Sequence, residues 1–255
     1  MRTILCVTMF AAIAPGILAA APRDFWIGVR GGPSIPQLSD GNNEVSRGYE
    51  SRLAPNFGLV GEYFVTDHFS LVSEIDYSGQ GGIRRGIQPI TQSPEGMPPL
   101  LPGQYLYGDF KSESILDYLE VPVMAKYEWE VGSHWRYFAE AGPYIGFLLD
   151  AKQKTSGSSQ IYVDQNKTPL SVEGQAMPPV SFDAETDVKG DLQKVNIGIT
   201  AGMGLEYLIN AFHEIFLDLR GEYGLTDVQK DTEANGKSHT GNAVFSLGYK
   251  FNFGG

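Results

Sequence analysis

Ile215-Phe216-Leu217-Asp218-Leu219-Arg220-Gly221-Glu222-Tyr223-Gly224-Leu225 is the stretch on which the fold turns. Its odd positions are mostly large and apolar, and its even positions include Asp218, Arg220 and Glu222. A helix would spread these charges around its circumference. A strand, whose side chains alternate between two faces, gathers them on one side.

The same period of two recurs along the chain. Apolar Phe69, Leu71, Ile75 and Tyr77 alternate with Ser70, Glu74 and Asp76; Leu119 to Tyr127 with Glu120, Lys126 and Glu128; Tyr137 to Phe147 with Glu140 and glycines. Val195 to Tyr207 alternate with Asn196, Thr200 and Glu206, and Ala243 to Phe253 with Asn242, Ser246 and Lys250. Two further strands fall at about 24–32 and 54–65, which makes eight. The connections alternate in length: long at about 33–53, 80–114, 150–192 and 227–241, short at about 66–68, 129–135 and 208–213. Strict alternation of long loops with tight turns is the pattern of an outer-membrane barrel, long loops outside and short turns in the periplasm. The expected fold is therefore an all-β, eight-stranded antiparallel up-and-down transmembrane β-barrel with long extracellular loops and short periplasmic turns.

Most prolines respect these boundaries, falling in the two longest loops where no ladder hydrogen bond is needed. Pro122 and Pro143 are exceptions. A hairpin centred near Gly132 sets them roughly opposite each other, and a bulge or a locally open ladder is expected there.

Charge separates the two faces. The apolar parity carries no Asp, Glu, Lys or Arg through the central segments, while the other carries Arg30, Glu62, Glu74, Asp76, Glu120, Lys126, Glu128, Glu140, Glu206, Asp218, Arg220, Glu222 and Lys250. A soluble sandwich would turn the charged face to water. A membrane barrel inverts this, with the apolar face toward lipid and the charged face toward the lumen. Inversion is favoured by aromatic residues near strand ends on the apolar face (Tyr63, Tyr77, Tyr127, Tyr137, Tyr207, Tyr223, Tyr249, Phe253), the place of interfacial girdles. It is also favoured by glycines on the charged face, because a narrow barrel lacks space. Nine carboxylates and four cations in such a lumen require pairing, since an isolated ion in low dielectric costs several kcal/mol. Arg30, Arg220, Lys126 and Lys250 are expected to bridge acids of neighbouring strands in a hydrated structural network, with bound protons or cations offsetting the excess of acids. That interior is a plug rather than a pore.

The 255 residues carry 19 Lys plus Arg against 30 Asp plus Glu, a formal net charge of −11, which disfavours nucleic acid as a partner. Cys6 is the only cysteine, excluding disulfide frameworks and cysteine-based metal sites. Arg2, the apolar run Ile4 to Ala14, the break at Pro15-Gly16 and Ala19-Ala20-Ala21 read as a secretory signal over 1–21, cut within a residue or so of Ala21, with the barrel over 22–255. A secreted soluble barrel is the competing reading of the same alternation.

Several of these strands resemble those of the PorT-like outer-membrane β-barrel family. Tyr118-Leu119-Glu120-Val121-Pro122-Val123 with Lys126-Tyr127 is similar to its fourth strand, and Ala141-Gly142-Pro143-Tyr144-Ile145-Gly146-Phe147-Leu148-Leu149 to the next. Ile197-Gly198 through Gly202-Met203-Gly204-Leu205-Glu206-Tyr207 and Arg220-Gly221-Glu222-Tyr223-Gly224-Leu225-Thr226-Asp227 match its sixth and seventh, and Leu247-Gly248-Tyr249-Lys250-Phe251 its ending. The resemblance implies the outer membrane of a Gram-negative bacterium and makes the strand prolines a family trait. The name-giving member assists protein secretion, and no residue here carries that role over. Phe253 is followed by Gly254-Gly255, where such barrels usually end on the aromatic residue that the assembly machinery reads.

No chemistry stands out. His68, His134 and His213 fall in the three short turns, and His239, with Ser238 and Asp231 nearby, reads better as a polar loop residue than as a catalytic one. No nucleophile elbow, zinc motif or phosphate loop is present. The expectation is a non-enzymatic barrel with no catalytic, cofactor or metal residue, acting structurally or through its long outer loops. A subunit of a secretion or assembly complex is the alternative, and an outer-membrane lipid-modifying enzyme a more distant one. Its expected partners are outer-membrane lipid, the barrel assembly machinery during biogenesis, and a protein at the outer loops.

Overall fold

Alternation of apolar and polar residues becomes eight long strands that close on themselves. The computed structural model describes residues 25–39, 41, 43–90, 99–101, 104–172 and 174–252. The signal segment 1–21, Cys6 and the girdle residue Phe253 lie outside them. The barrel strands are β1 (Phe25–Leu38), β2 (Ala54–Phe64), β3 (Phe69–Arg84), β4 (Lys111–Val131), β5 (Trp135–Ser156), β6 (Val195–Asn210), β7 (His213–Gly224) and β8 (Thr240–Asn252). Each pairs antiparallel with its sequence neighbour, and β1 pairs with β8 from Trp26↔Asn252 to Leu38↔Thr240, so no barrel edge is left open. Among the described residues no helix is long and apolar enough to cross a membrane.

The faces are arranged as a membrane requires. Ile199 and Leu217 stand 54% and 41% exposed on the outer wall, whereas Glu140, Asp218 and Arg220 are 6%, 1% and 2% exposed inside. A filled lumen turned away from an apolar wall is the inverse of a soluble core. Aromatic rings band the turn end of the wall, with Tyr127 against Trp129 at 5.0 Å and Trp135 against Tyr207 at 4.8 Å. The histidines of the short turns join this band: His68 lies against Tyr127, His134 stacks on Tyr207, and His213 bonds the Tyr249 hydroxyl.

Strand boundaries differ from the sequence expectation at the loop end. β4 and β5 run for 21 and 22 residues, about twice the span a tilted strand needs to cross a bilayer. The loop expected at 80–114 therefore spans only 85–110, while the one expected at 150–192 begins later, after Ser156, and runs on to Lys194. Beyond the apolar band the outer wall carries Glu113, Asp117, Asp150 and Lys152, so both faces become polar while the ladder continues. The loops also hold short ladders of their own. Ile87–Ile90 pairs with Leu106–Asp109, Ser158–Ser159 with Val180–Ser181, and Ala184–Asp187 adds a ninth strand to the top of β5. The second and third tight turns shrink to three and two residues, because β4 continues to Val131 and β6 to Asn210, while the first spans 65–68.

The prolines open the ladder without bending it. Pro122 faces Tyr144, one position from the symmetrical arrangement, and paired residues resume at Ala125↔Ala141 in unchanged register. Between them Val123 meets Pro143, which has no N–H to give. Gly142 beside it lets the chains close up, since a Cβ there would lie 2.0 Å from the Val123 carbonyl oxygen. The register shift in this hairpin lies elsewhere, at Asp117/Tyr118.

Candidate functional site

The lumen concentrates the chain's polar residues, because every even position of β7 and its equivalents on the other strands points to the axis. The thirteen charged residues that the sequence assigns to that face are all buried there, in three layers stacked from the turns toward the loops.

At the turn end two lysines hold four acids. Lys126 Nζ lies 2.9 Å from Glu62 and 2.8 Å from Glu128, and also donates to Glu206. Lys250 Nζ lies 2.5 Å from Glu62, 2.7 Å from Glu206 and 2.8 Å from Glu214. The Glu62, Glu128 and Glu206 carboxylates converge closely enough to suit a metal ion, but the Lys126 ammonium already serves all three. Each ammonium also faces a ring, Lys126 over Phe138 at 4.6 Å and Lys250 over Phe216 at 5.3 Å. Those rings lie on glycines: a Cβ at Gly248 would be 2.1 Å from the Phe216 ring and one at Gly204 2.4 Å from Phe138.

In the middle layer two guanidinium groups are set among four acids. Arg30 Nη1 is 2.5 Å from Glu74 and 3.2 Å from Asp76, and its Nη2 is 3.5 Å from Asp218. Arg220 grips Glu74 with both arms, at 2.6 and 3.0 Å, and reaches Glu140 at 2.6 Å and Asp218 at 3.1 Å. The planar fork of arginine suits this two-point contact. Between these two layers Val60, Val72, Met124 and Phe216 form an apolar cluster, and the cavity left among them is about 10 Å³, room for one water molecule at most.

Near the loops lie Glu120 and Glu222. Gln80 donates to Glu120 at 3.3 Å and Asn242 to Glu222 at 3.0 Å. Above them Leu38, Leu116, Tyr118, Leu148, Leu192 and Val228 pack into an apolar layer that covers the lumen. Over that layer the loops enclose an open cup of about 480 Å³, whose wall includes the stacked pair Phe110 and Phe182, centroids 4.4 Å apart. Tyr107 ties one hairpin of this rim to Glu44 at 2.6 Å; partial burial, together with the acceptor carboxylate, pushes its phenol above the usual range.

Two features of the network differ from the sequence reading. The ion pairs mostly skip a strand instead of joining neighbouring ones: Arg30 of β1 meets β3 and β7, Lys126 of β4 meets β2 and β6, and Arg220 of β7 reaches Glu74 on the opposite wall. A narrow closed barrel brings opposite walls within side-chain reach. Two members were also missed. Glu214 is fully buried on Lys250, and Arg136 at the turn rim lies 3.4 Å from Glu128 and 3.9 Å from Glu214. Both keep the parity of Asp218 and Glu140, which would have revealed them had the turns been drawn shorter.

The residues once considered for catalysis are not drawn together. His239 faces Asp227 at 3.6 Å and Tyr223 at 5.9 Å, while the Ser238 hydroxyl bonds Gln229 at 2.7 Å and Asp231 caps its own loop at Glu233 and Ala234.

Several solved structures are similar to this chain at low identity. The neisserial surface protein A (NspA) is 13% identical, with 89% of this chain and 96% of that one covered and a TM-score of 0.41. Ail, the attachment invasion locus protein of Yersinia pestis, is 11% identical over 89% and 99% at 0.38, and OprG of Pseudomonas aeruginosa 11% identical over 90% and 96% at 0.41. No curated protein sequence matches the chain. The family described as outer membrane protein beta-barrel domain matches residues 15–230, which include seven of the eight strands. With its closed barrel, lipid-ready wall and filled lumen, the chain belongs to this outer membrane protein beta-barrel family and resides in the outer membrane.

Proposed function

We propose that this protein is a non-enzymatic barrel whose ion-paired lumen serves as a rigid mount for its loops, and that the loops carry its interactions on the outer side of the membrane. The observation that carries this reading is the lumen itself: cross-lumen ion pairs, a cavity of about 10 Å³ between charge layers, and an apolar cover toward the loops. Both ends of the barrel chain, Phe25 and Asn252, lie at the turn end, which suits a periplasmic start and finish after export on the 1–21 signal. Three of the four histidines sit among girdle aromatics at that end, remote from the loop rim, which supports a role without catalysis. The loop-lined cup of about 480 Å³ gives a protein partner a place to engage.

The test is electrical. Reconstituted in planar bilayers, the protein is expected to leave conductance at background. Large, long-lived openings would show that the lumen is a pore and would remove this reading. The narrower alternative, a subunit of a secretion or assembly complex, draws on the PorT-like strand motifs and the same cup. It requires a stoichiometric partner to accompany the barrel when it is extracted in mild detergent.

A further inference from the structure

Charge is compensated unevenly along the lumen. The turn-end layer has Lys126, Lys250 and Arg136 for its acids, and the middle layer has Arg30 and Arg220. The layer nearest the loops has two carboxylates, Glu120 and Glu222, and among the described residues neither has an ammonium or guanidinium within 4.0 Å. Both are buried, and the charged group that acts most strongly on Glu120 is Glu222. The Arg220 guanidinium in the layer below acts on both, but it is already shared by Glu74, Glu140 and Asp218, so the two carboxylates have no counter-ion of their own, a costly arrangement in a medium of low dielectric.

The neutral groups beside them point to what neutralises them. Gln80 and Asn242 give an amide N–H to Glu120 and Glu222, and their amide oxygens, Oε1 and Oδ1, are buried with no hydrogen-bond donor. Asn56, whose backbone pairs with that of Ser78, is 1% exposed with neither amide atom bonded. Ser78 in turn bonds Gln80 at 3.0 Å. The amide nitrogens now face the carboxylates; turning either amide over brings its lone oxygen to the same side and gives, with the two carboxylates, an all-oxygen donor set. Among the described residues, no histidine or cysteine belongs to this layer. Hard divalent cations take such a set, and two carboxylates balance their charge.

We propose that the loop-side layer of the lumen is a structural site for a hard divalent cation, held by Glu120 and Glu222 with the amide oxygens of Gln80 and Asn242. The cation completes the row of counter-ions that lysine and arginine supply in the two layers below. The apolar cover above it makes the ion a resident of the folded barrel, taken up during folding. The site refines the plugged-lumen reading but is tested independently of it, because conductance reports the plug whether or not an ion is bound.

Full-length barrel, unfolded in urea and refolded into detergent with calcium or with EDTA, provides the test. Calcium-refolded protein is expected to keep about one calcium per chain through gel filtration, measured by mass spectrometry of the metal, and to unfold at higher urea than the EDTA form. Terbium refolded into the site is expected to luminesce on tyrosine excitation, since buried Tyr118 lies two residues from Glu120 on the lumenal face of β4 and buried Tyr144 two residues from Gly146, the ladder partner of Glu120. The double substitution E120Q/E222Q is expected to abolish both the retained metal and the luminescence while folding at least as well in EDTA. The single E222Q, which keeps an oxygen in place, is expected to weaken calcium about tenfold or more. A loop control, E44Q/E50Q, keeps the signal. Wild-type protein that retains neither calcium nor magnesium would overturn the proposal, and so would metal that persists unchanged in E120Q/E222Q. Should the double variant fail to fold, the wild-type metal content and the E222Q affinity decide the matter.

Discussion

Arg220→Met is expected to destabilise the folded barrel by about 3–5 kcal/mol, the usual cost of removing one partner from a buried ion network. The methionine fills most of the arginine stem, so packing is largely kept and the charge is what is lost. Glu74 would then keep only Arg30, and Glu140 would have no ion-pair partner. Urea unfolding in detergent, followed by intrinsic fluorescence or by the shift between folded and boiled mobility on gels, reads the loss. A second measurement separates charge from shape: adding Glu140→Gln to Arg220→Met removes an orphaned ion and is expected to restore part of the stability, giving a coupling between two residues 80 positions apart in sequence. A neutral Arg220→Met would mean that the lumen is hydrated enough to screen these charges, and the rigid-mount argument would fall with it.

Leu217→Arg is expected to cost about 2–4 kcal/mol in a lipid bilayer, because the outer wall at this height faces hydrocarbon. Leu217 is flanked by Leu205 on β6 and Leu247 on β8, an apolar patch with no acid to receive the guanidinium. Ile199→Arg, farther toward the loops, should cost less within the same range, as an arginine nearer the interface can extend its head to water. Folding yields into vesicles report both, and Leu217→Met serves as the size control. If Leu217→Arg proved neutral in lipid, the wall would not lie in the hydrocarbon and the membrane assignment of this face would be wrong.

Much of this was legible in the chain. The run from Ile215 to Leu225 is read correctly as a strand with Asp218, Arg220 and Glu222 on one side, because a strand's alternation is local and survives any tertiary arrangement. The same parity rule places Glu62 on β2 and Lys250 on β8 in the lumen, 188 residues apart, without any knowledge of their contact. The open ladder at Pro143 follows from the missing N–H alone. The upper halves of β4 and β5 were not legible. Lys152 and Lys154 outside and Gln153 inside offer no contrast of polarity, since both faces there meet polar surroundings. Glu214 was lost for a related reason: it stands at a strand end, where the alternation has too few residues to show itself.

What the sequence determined by itself is therefore a set of faces: eight strands, an apolar side and a charged side. Alternation records only the local choice between two directions, and it is silent on which direction encloses the axis. Closure of β1 on β8 settled that. By curling the sheet into a ring, it set Arg30 between Glu74 and Asp218 and Lys126 between Glu62 and Glu206, each acid two strands away, and Arg220 against Glu74 on the opposite wall. Those pairings depend on distances across a closed ring, a quantity that no stretch of chain contains.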